Sequence, residues 1–370
     1  MKILELCLSP NFGGLEIYCK DISIWLAQRN NVDLYIATSD NSPLQRSLKH
    51  EPASQLTLKY WLSPFPLFTA KSLSRFIEIN NIDAVHLHWK YDLPLVSLAK
   101  KLCKKKFALI HTRHMDLPGS KHDIYHKFIY KDIDKFITVA DYLKEQARRN
   151  LPLHSDNICR IYCGSKPTTP LTADNIQALK LKFNIENKFT VAIAGRIENQ
   201  KGQHLLIKAI DQLYTEGLDL YGVVIGDAKS TDYMNEIKDL ISARSLHDRI
   251  IMIPFQADLT KIIQCLDILV LATVKETFGM VLIEGMRAGI SVIGSNAGGV
   301  PEIIDHNETG LLFDSEHVGS LSEAIKTLYF DRKLKDRLAE AGQKKAEVVF
   351  NKTTLFKDVL DEICKTVNTM

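Results

Sequence analysis

Short runs of apolar, often β-branched residues alternate with helix-spaced segments along all 370 residues. This rhythm limits the chain to parallel sheets with helices on both faces. Strands are expected at residues 3–8, 32–38, 56–61, 84–89, 107–112, 136–140 and 158–162. After the polar, proline-containing stretch 164–170 the rhythm restarts, with strands expected at 190–194, 222–225, 250–254, 268–271, 291–294 and 310–313. The length suits two domains of ~150 residues each, one architecture used twice. The reading is an α/β chain of two doubly wound, Rossmann-like domains facing a central cleft: 1–165, then 166–345, with 346–370 a helix crossing back to the first. In open α/β sheets ligands bind beyond the carboxyl ends of the strands. Residues just after strands are therefore the ones to search for chemistry.

Composition serves mainly to exclude. No apolar run approaches the ~18 residues of a membrane span. The start, Lys2 followed by Ile3, Leu4, Glu5 and Leu6, reads as a strand rather than a secretory signal. A cytoplasmic protein is expected, with no nucleic-acid partner. Seven cysteines, the closest pair being Cys159 and Cys163, lack the spacing of a zinc site; free thiols and no structural metal are expected. The net charge of +3 hides an asymmetry. Lys and Arg outnumber Asp and Glu by 23 to 16 in residues 1–165 (+7) and fall short by 24 to 28 in the remainder (−4). Lys100, Lys101, Lys104, Lys105 and Lys106 supply much of the first-half excess. They suit a solvated helix C-terminus, with an anionic membrane surface as the alternative.

The segment 276–289 is the most informative. A buried strand is expected to end near Ala272, and a loop to lead to Thr277 as N-cap of a helix ending at Gly289. Such a helix leaves its first amides, those of Phe278, Gly279, Met280 and Val281, available to an anion. Gly279 removes a side chain where a phosphate would approach the backbone. Glu284, expected two turns into a helix that is apolar almost all round, is a carboxylate in need of partners. A vicinal diol such as that of ribose donates two hydrogen bonds to it. A second turn, Gly195-Arg196-Ile197-Glu198-Asn199-Gln200-Lys201-Gly202, follows the first strand of the second half. Arg196 and Lys201 are expected to converge on one diphosphate, as fork and as point charge.

Glu276 and Glu284 with seven residues between them, the Gly195-Arg196…Lys201-Gly202 turn, and Gly298-Gly299-Val300-Pro301-Glu302-Ile303-Ile304…Thr309-Gly310-Leu311-Leu312 form one set of motifs. They resemble the retaining glycosyltransferases of family 4, with the GT-B fold, of the bacterial cell-envelope polysaccharide and lipopolysaccharide type. Gly13-Gly14-Leu15-Glu16 after the first strand and His86-Leu87-His88 at the end of the fourth extend the likeness over nearly the whole chain. The resemblance implies a nucleotide-diphosphate sugar donor, UDP- or GDP-linked, and transfer to a glycan or lipid-linked acceptor with retention. It implies no metal or other cofactor. In it Arg196 and Lys201 bind the diphosphate, Glu284 the ribose, Glu276 sits beside the donor sugar, and the Gly13-Gly14 loop closes over the phosphates. It matches His114 to the family's active-site histidine, with His111 as second candidate and a satisfied structural histidine as the alternative for both. Departures from the pattern fall at Gly226-Asp227-Ala228, Tyr162-Cys163-Gly164 and Thr273-Val274-Lys275.

Other features have blander readings. His86 and His88 share one strand face, a geometry open to a metal. With no carboxylate cluster near them in the sequence, acceptor hydrogen bonding or packing is expected instead. Residues 120–130 read as a basic amphipathic helix carrying Ile124, Tyr125, Phe128 and Ile129. Together with the aromatics Tyr60, Trp61, Phe65 and Phe68 it suggests contact with a membrane-borne acceptor at the inner face of the cytoplasmic membrane; docking on the domain's own core is the alternative. Asp132-Ile133-Asp134 mimics an Asp-x-Asp metal motif but precedes a strand, and reads as a surface turn. Rival functions are an epimerase on the same scaffold, separated by free nucleotide diphosphate with no epimerised donor, and a silent nucleotide-sugar-binding subunit, which intact Arg196, Lys201, Glu276 and Glu284 disfavour. A dehydrogenase is disfavoured, because no Gly-x-Gly-x-x-Gly follows either opening strand.

Overall fold

The computed structural model describes residues 1–51, 53–58, 66–228 and 230–370. Among these, the chain separates into two compact units, one of Met1–Cys163 with Thr353–Met370 and one of Gly164–Lys352. The first unit holds β1 (Lys2–Cys7), β2 (Asp33–Ser39), β3 (Ser54–Leu58), β4 (Ala84–Leu87), β5 (Ala108–Arg113), β6 (Lys135–Thr138) and β7 (Ile158–Arg160). The second holds β8 (Phe189–Ala194), β9 (Leu220–Ile225), β10 (Ile250–Ile253), β11 (Ile268–Leu271), β12 (Ser291–Ser295) and β13 (Leu311–Phe313). All the expected strands are present, with their described ends moved by one or two residues. Residues 59–61 of the expected third strand lie outside the described residues.

The sheet orders are β3-β2-β1-β4-β5-β6-β7 and β10-β9-β8-β11-β12-β13, and neighbouring strands run parallel. Both follow one plan. The first strand of each unit lies inside its sheet, the next two step to one side, and the fourth returns to the other side of the first. The order thus reverses between β1 and β4, and again between β8 and β11. At such a switch point the helices that follow the two strands diverge and leave a crevice at the carboxyl edge.

Burial explains why the strands read as continuous apolar runs, since a parallel sheet is covered on both faces. Ile268, Leu269, Val270 and Leu271 of β11 are all buried. In the first unit Leu4, Leu6, Val85, Leu87 and Leu109 pack with Leu73, Ile77, Val96 and Ala99 from helices. In the second, Val191, Ile193, Ile268, Val270 and Ile293 pack with Leu206, Ile210, Leu213 and Ile237. Each such side chain contributes ~1.5–3 kcal/mol on burial. The chain beyond residue 317 is helical, at Val318–Phe330, Arg332–Val349 and Lys352–Asn368. The last helix belongs to the first unit. Its Phe356 meets the rings of Tyr18 and Trp25 at 5.4 and 6.0 Å, and its Glu362 pairs with Lys135 at 2.8 Å. Among the described residues no helix is long and apolar enough to cross a membrane.

Candidate active site

At the carboxyl edge of the second sheet three loops are tied together, those after β8, β11 and β12. Gly202 lies in the left-handed region (φ +75°), and a β-carbon there would strike the Ala272 carbonyl at the end of β11. Only glycine combines that conformation with that approach. The Val274 amide donates to the Gln200 carbonyl at 3.3 Å, and Ser295 donates its hydroxyl proton to the Thr273 carbonyl at 2.7 Å. From the third loop, the Gly299 amide donates to the Glu276 carbonyl at 3.0 Å. Gly298 (φ +59°) comes so close to that same carbonyl that no β-carbon fits. The two glycine motifs are therefore backbone clamps on the loop that carries Glu276.

These clamps bring Lys201 to Glu276, with Nζ 2.8 Å from Oε2. The pair is part-buried, so water screens it less than a surface ion pair. Arg196 is turned elsewhere. Its side chain is 65% exposed and 3.4 Å from the Glu198 carboxylate. Lys201 and Arg196 thus each face a carboxylate, Glu276 and Glu198, and the Gly202–Ala272 approach draws Lys201 toward the β11 loop.

The helix start also differs from expectation. The helix runs Met280–Arg287 with Gly279 at its N-cap in a left-handed conformation (φ +99°), so Thr277 is not the cap. Only Gly-compatible backbone turns the chain there, and an added β-carbon at Gly279 would crowd the Leu271 side chain. The amides at the true first turn are those of Met280 and Val281, with the Leu282 amide already bonded to the Gly279 carbonyl at 3.0 Å. Thr277 and Phe278 precede the helix, and Phe278 is buried with its ring 5.9 Å from that of Phe350. Glu284 consequently stands one turn, not two, from the start. The residue is half-buried, and burial pushes its carboxyl up to about 7, with Lys352 opposing. Gly289 ends the segment in the left-handed region (φ +73°), as a residue after a helix C-terminus does.

The switch point of the first sheet holds a different set. Glu5 of β1 is in register with His86 of β4 and is completely buried. One carboxylate oxygen lies 2.9 Å from His86 Nδ1 and the other 2.6 Å from His88 Nε2. His86 Nε2 in turn lies 2.7 Å from the Thr112 hydroxyl on β5. Burial would raise the Glu5 carboxyl, but the charge and hydrogen bonds of the two imidazoles hold it down at about 2. Burial and His86 push His88 down to about 4 against the pull of Glu5. Here the expectation that no carboxylate accompanies His86 and His88 is overturned, because β1 and β4 are neighbours in space though eighty residues apart in sequence. Among the described residues Glu5, His86 and His88 are a set of side chains close enough to share a metal ion.

His114 follows β5 directly and is half-buried. Its ring lies 4.6 Å from Tyr18 and 5.9 Å from His88, nearly parallel to the latter at 29°. Its Nδ1 is 4.0 Å from Cys163 Sγ, and its Nε2 is buried with no partner among the described residues. His111 is buried against Phe136 at 5.1 Å, as a structural histidine would be. It is not a satisfied one, since neither ring nitrogen has a described partner. Burial pushes both His111 and His114 well below the usual histidine range.

Gly13 is the N-cap of the helix Gly14–Ala27. The Glu16 carboxylate turns back to accept from the Gly13 amide at 2.7 Å and from the Ser9 hydroxyl. A buried acid thus already occupies part of that helix start. Asp132 and Asp134 bond Lys101 and Lys100 and tie the helix Leu93–Leu102 to the turn before β6, which accounts for both without a metal. Two of the lysines expected to be solvated are paired there. The basic helix is seven residues long, Ile124–Tyr130, with Ile124 exposed and Ile129 buried. Of the aromatic segment, Tyr60, Trp61 and Phe65 lie outside the described residues, while Phe68 is exposed. None of the seven cysteines is in a disulfide, and four of them are buried.

Two Rossmann-like sheets with polar groups gathered at each switch point define the GT-B class of fold. Residues 12–167 match the family model Glycosyltransferase Family 4, and residues 175–345 match Glycosyl transferases group 1. The chain belongs to the family 4 glycosyltransferases. It is 23% identical over 371 residues to the N-acetyl-alpha-D-glucosaminyl L-malate synthase of Bacillus anthracis, covering 95% of each chain. A glycosyltransferase structure from Rickettsia africae superposes with a TM-score of 0.90 at 22% identity, covering 100% of this chain and 99% of the other. The Anabaena protein HepE in complex with UDP superposes with a TM-score of 0.86 at 21% identity, covering 99% and 100%.

Proposed function

We propose that this glycosyltransferase takes its sugar from a nucleotide diphosphate, in the first place a UDP-sugar and otherwise a GDP-sugar. The sugar goes, with retention, to a glycan or lipid-linked acceptor of the cell envelope. The observation that carries the reading is the clamped pair Lys201–Glu276 at a switch point, beside the Met280–Arg287 helix start and Glu284. A cation and unpaired helix amides suit a diphosphate. A half-buried carboxylate suits a ribose diol that hydrogen-bonds both its oxygens. That HepE has been crystallised with UDP supports the choice of base.

In the proposed reaction an acceptor hydroxyl attacks the anomeric carbon from the side the diphosphate leaves. The bond from that carbon to the phosphate oxygen breaks, and the departing phosphate oxygen takes the hydroxyl proton. Lys201, Arg196 and the Met280 and Val281 amides stabilise the charge that develops on the diphosphate, with no metal ion needed for that role. Each preorganised donor of this type contributes ~10²–10³ in rate. Gly13 and Gly14 are proposed to contribute to phosphate binding, and His114 to contact the transferred sugar. The protein is proposed to work in the cytoplasm, at the membrane's inner face, where the exposed Ile124 and Phe68 and the first-half lysines would meet anionic lipid.

A thermal-shift screen with UDP-, GDP- and ADP-sugars tests the donor, because a ligand that binds only the folded chain raises its melting temperature. A rise with none of the three overturns the proposal. Co-sedimentation with liposomes that is indifferent to anionic lipid overturns the membrane part alone.

A further inference from the structure

Large apolar side chains scattered singly over a surface are ordinary, whereas a cluster of them at a crevice marks an interaction site. In the first unit Phe12 and Ile17 follow β1, Tyr91 follows β4 and Met115 follows β5, each 46% or 47% exposed. Those three strands are neighbours in the sheet. The four side chains therefore belong to adjacent loops at one carboxyl edge, around the first switch point. The interior of that point is polar, for Glu5, His86, His88 and Asp92 are buried there. A polar interior with an apolar rim reverses the usual distribution. The fold does not require it. Among the described residues of the second unit, no exposed large apolar side chain lies in the loops after β8 or β11, which flank the equivalent point. Three cations stand on the same loops of the first unit. Lys90 has its Nζ 4.7 Å over the Tyr91 ring, and Lys121 and Lys127 follow Met115 on the segment after β5. None of the three has a carboxylate partner among the described residues, whereas Asp123, between the last two, is held by His126.

We propose that this rim seats the hydrocarbon chain of an amphiphilic acceptor, a lipid phosphate whose charge lies among Lys90, Lys121 and Lys127 and whose sugar end reaches the polar interior. The two parts of the surface together exclude other occupants. A free glycan leaves Ile17 and Met115 facing water. A second copy of the chain, meeting this one through the same surface, brings like cations together. A lipid phosphate matches the apolar rim with its chain and the unpaired lysines with its charge. It also places its two ends as the site does, with polar groups inward and hydrocarbon at the mouth. The inference rests on the sugar-transfer reading, narrows its acceptor to the lipid-linked kind, and uses only the first unit.

The test follows the methyl signals of Ile17 and Met115 in the full chain, labelled with carbon-13 at isoleucine and methionine. The probe is farnesyl phosphate, kept below its micelle-forming concentration, which carries a chain and a phosphate but no sugar. Both methyls are expected to shift to saturation. Farnesol, lacking the charge, binds roughly tenfold more weakly, and inorganic phosphate leaves both methyls unmoved. High salt lowers the affinity for farnesyl phosphate to that for farnesol. Ile17→Ser and Met115→Ser each weaken farnesyl phosphate roughly tenfold. Their melting temperatures stay unchanged, because both side chains are already half in water. Lys90→Gln combined with Lys127→Gln removes most of the salt dependence and spares the binding of farnesol. Methyls that ignore farnesyl phosphate, or respond equally to farnesol, overturn the proposal. So do methyls that respond only to phosphatidylcholine–phosphatidylglycerol vesicles, which makes a bilayer the occupant. Methyls that move with protein concentration alone make it a second copy and overturn the proposal as well. A melting temperature indifferent to UDP-, GDP- and ADP-sugars would instead overturn the donor reading and leave the farnesyl phosphate result standing.

Discussion

Between β1 and β4 the first unit buries one carboxylate against two imidazoles, and burial pushes His88 below the usual histidine range. Between β8 and β11 the second unit sets a part-buried lysine–carboxylate pair beside a helix start. The strand order around the two points is the same, so topology supplies the crevice and the residues after the strands supply its chemistry. The first is built from side chains in or just after the strands, where Glu5, His86 and His88 are cut off from water. The second is built from loop backbone, where glycines permit close approach and leave charges near water.

The contrast can be broken most severely at Lys201. Lys201→Ala is expected to lower kcat by ~10²–10³-fold with the melting temperature nearly unchanged, as steady-state kinetics and calorimetry would show. Near-normal turnover would mean that the second switch point does not carry the diphosphate. Gly202→Ala attacks the backbone instead. It is expected to destabilise the second unit by about 3 kcal/mol through strain at positive φ and collision with the Ala272 carbonyl, a fall of roughly 6–12 °C in melting temperature. An unchanged melting temperature would show that the clamp is loose.

Glu284 sharpens the comparison through pH. Its folded-state pKa is raised from the ordinary value to about 7, so the folded chain holds a proton that the unfolded chain has released. Stability is then lost as pH rises from about 4.5 through 7. Glu284→Gln is expected to be about 2–3 kcal/mol more stable than the wild type at pH 8 and no more stable at pH 4, while losing nucleotide affinity. Equal melting temperatures at both pH values would remove the buried-carboxylate argument. The smallest effect belongs to a control outside both switch points. Asp132→Asn is expected to cost no more than about 1 kcal/mol and to leave turnover unchanged, and a large loss of activity would revive the metal-motif reading of that turn.

The strand–helix rhythm determined the two sheets almost to the residue, because a strand covered on both faces must be apolar at every position. The spacing of Glu276, Glu284, Arg196 and Lys201 likewise pointed to one sheet edge from the chain alone. Three things required the tertiary structure. Gly279 rather than Thr277 opens the helix, since its φ of +99° depends on how the loop packs against Leu271. Lys201 pairs with Glu276 because Gly202 brings the β8 and β11 loops together across seventy residues. Glu5 meets His86 and His88 only because β1 and β4 are neighbours, although a lone acid within an apolar strand was the visible sign. Local spacing determines which face or turn a residue occupies. Which residue waits on the adjacent strand depends on strand order, and that is decided by packing between segments far apart in sequence.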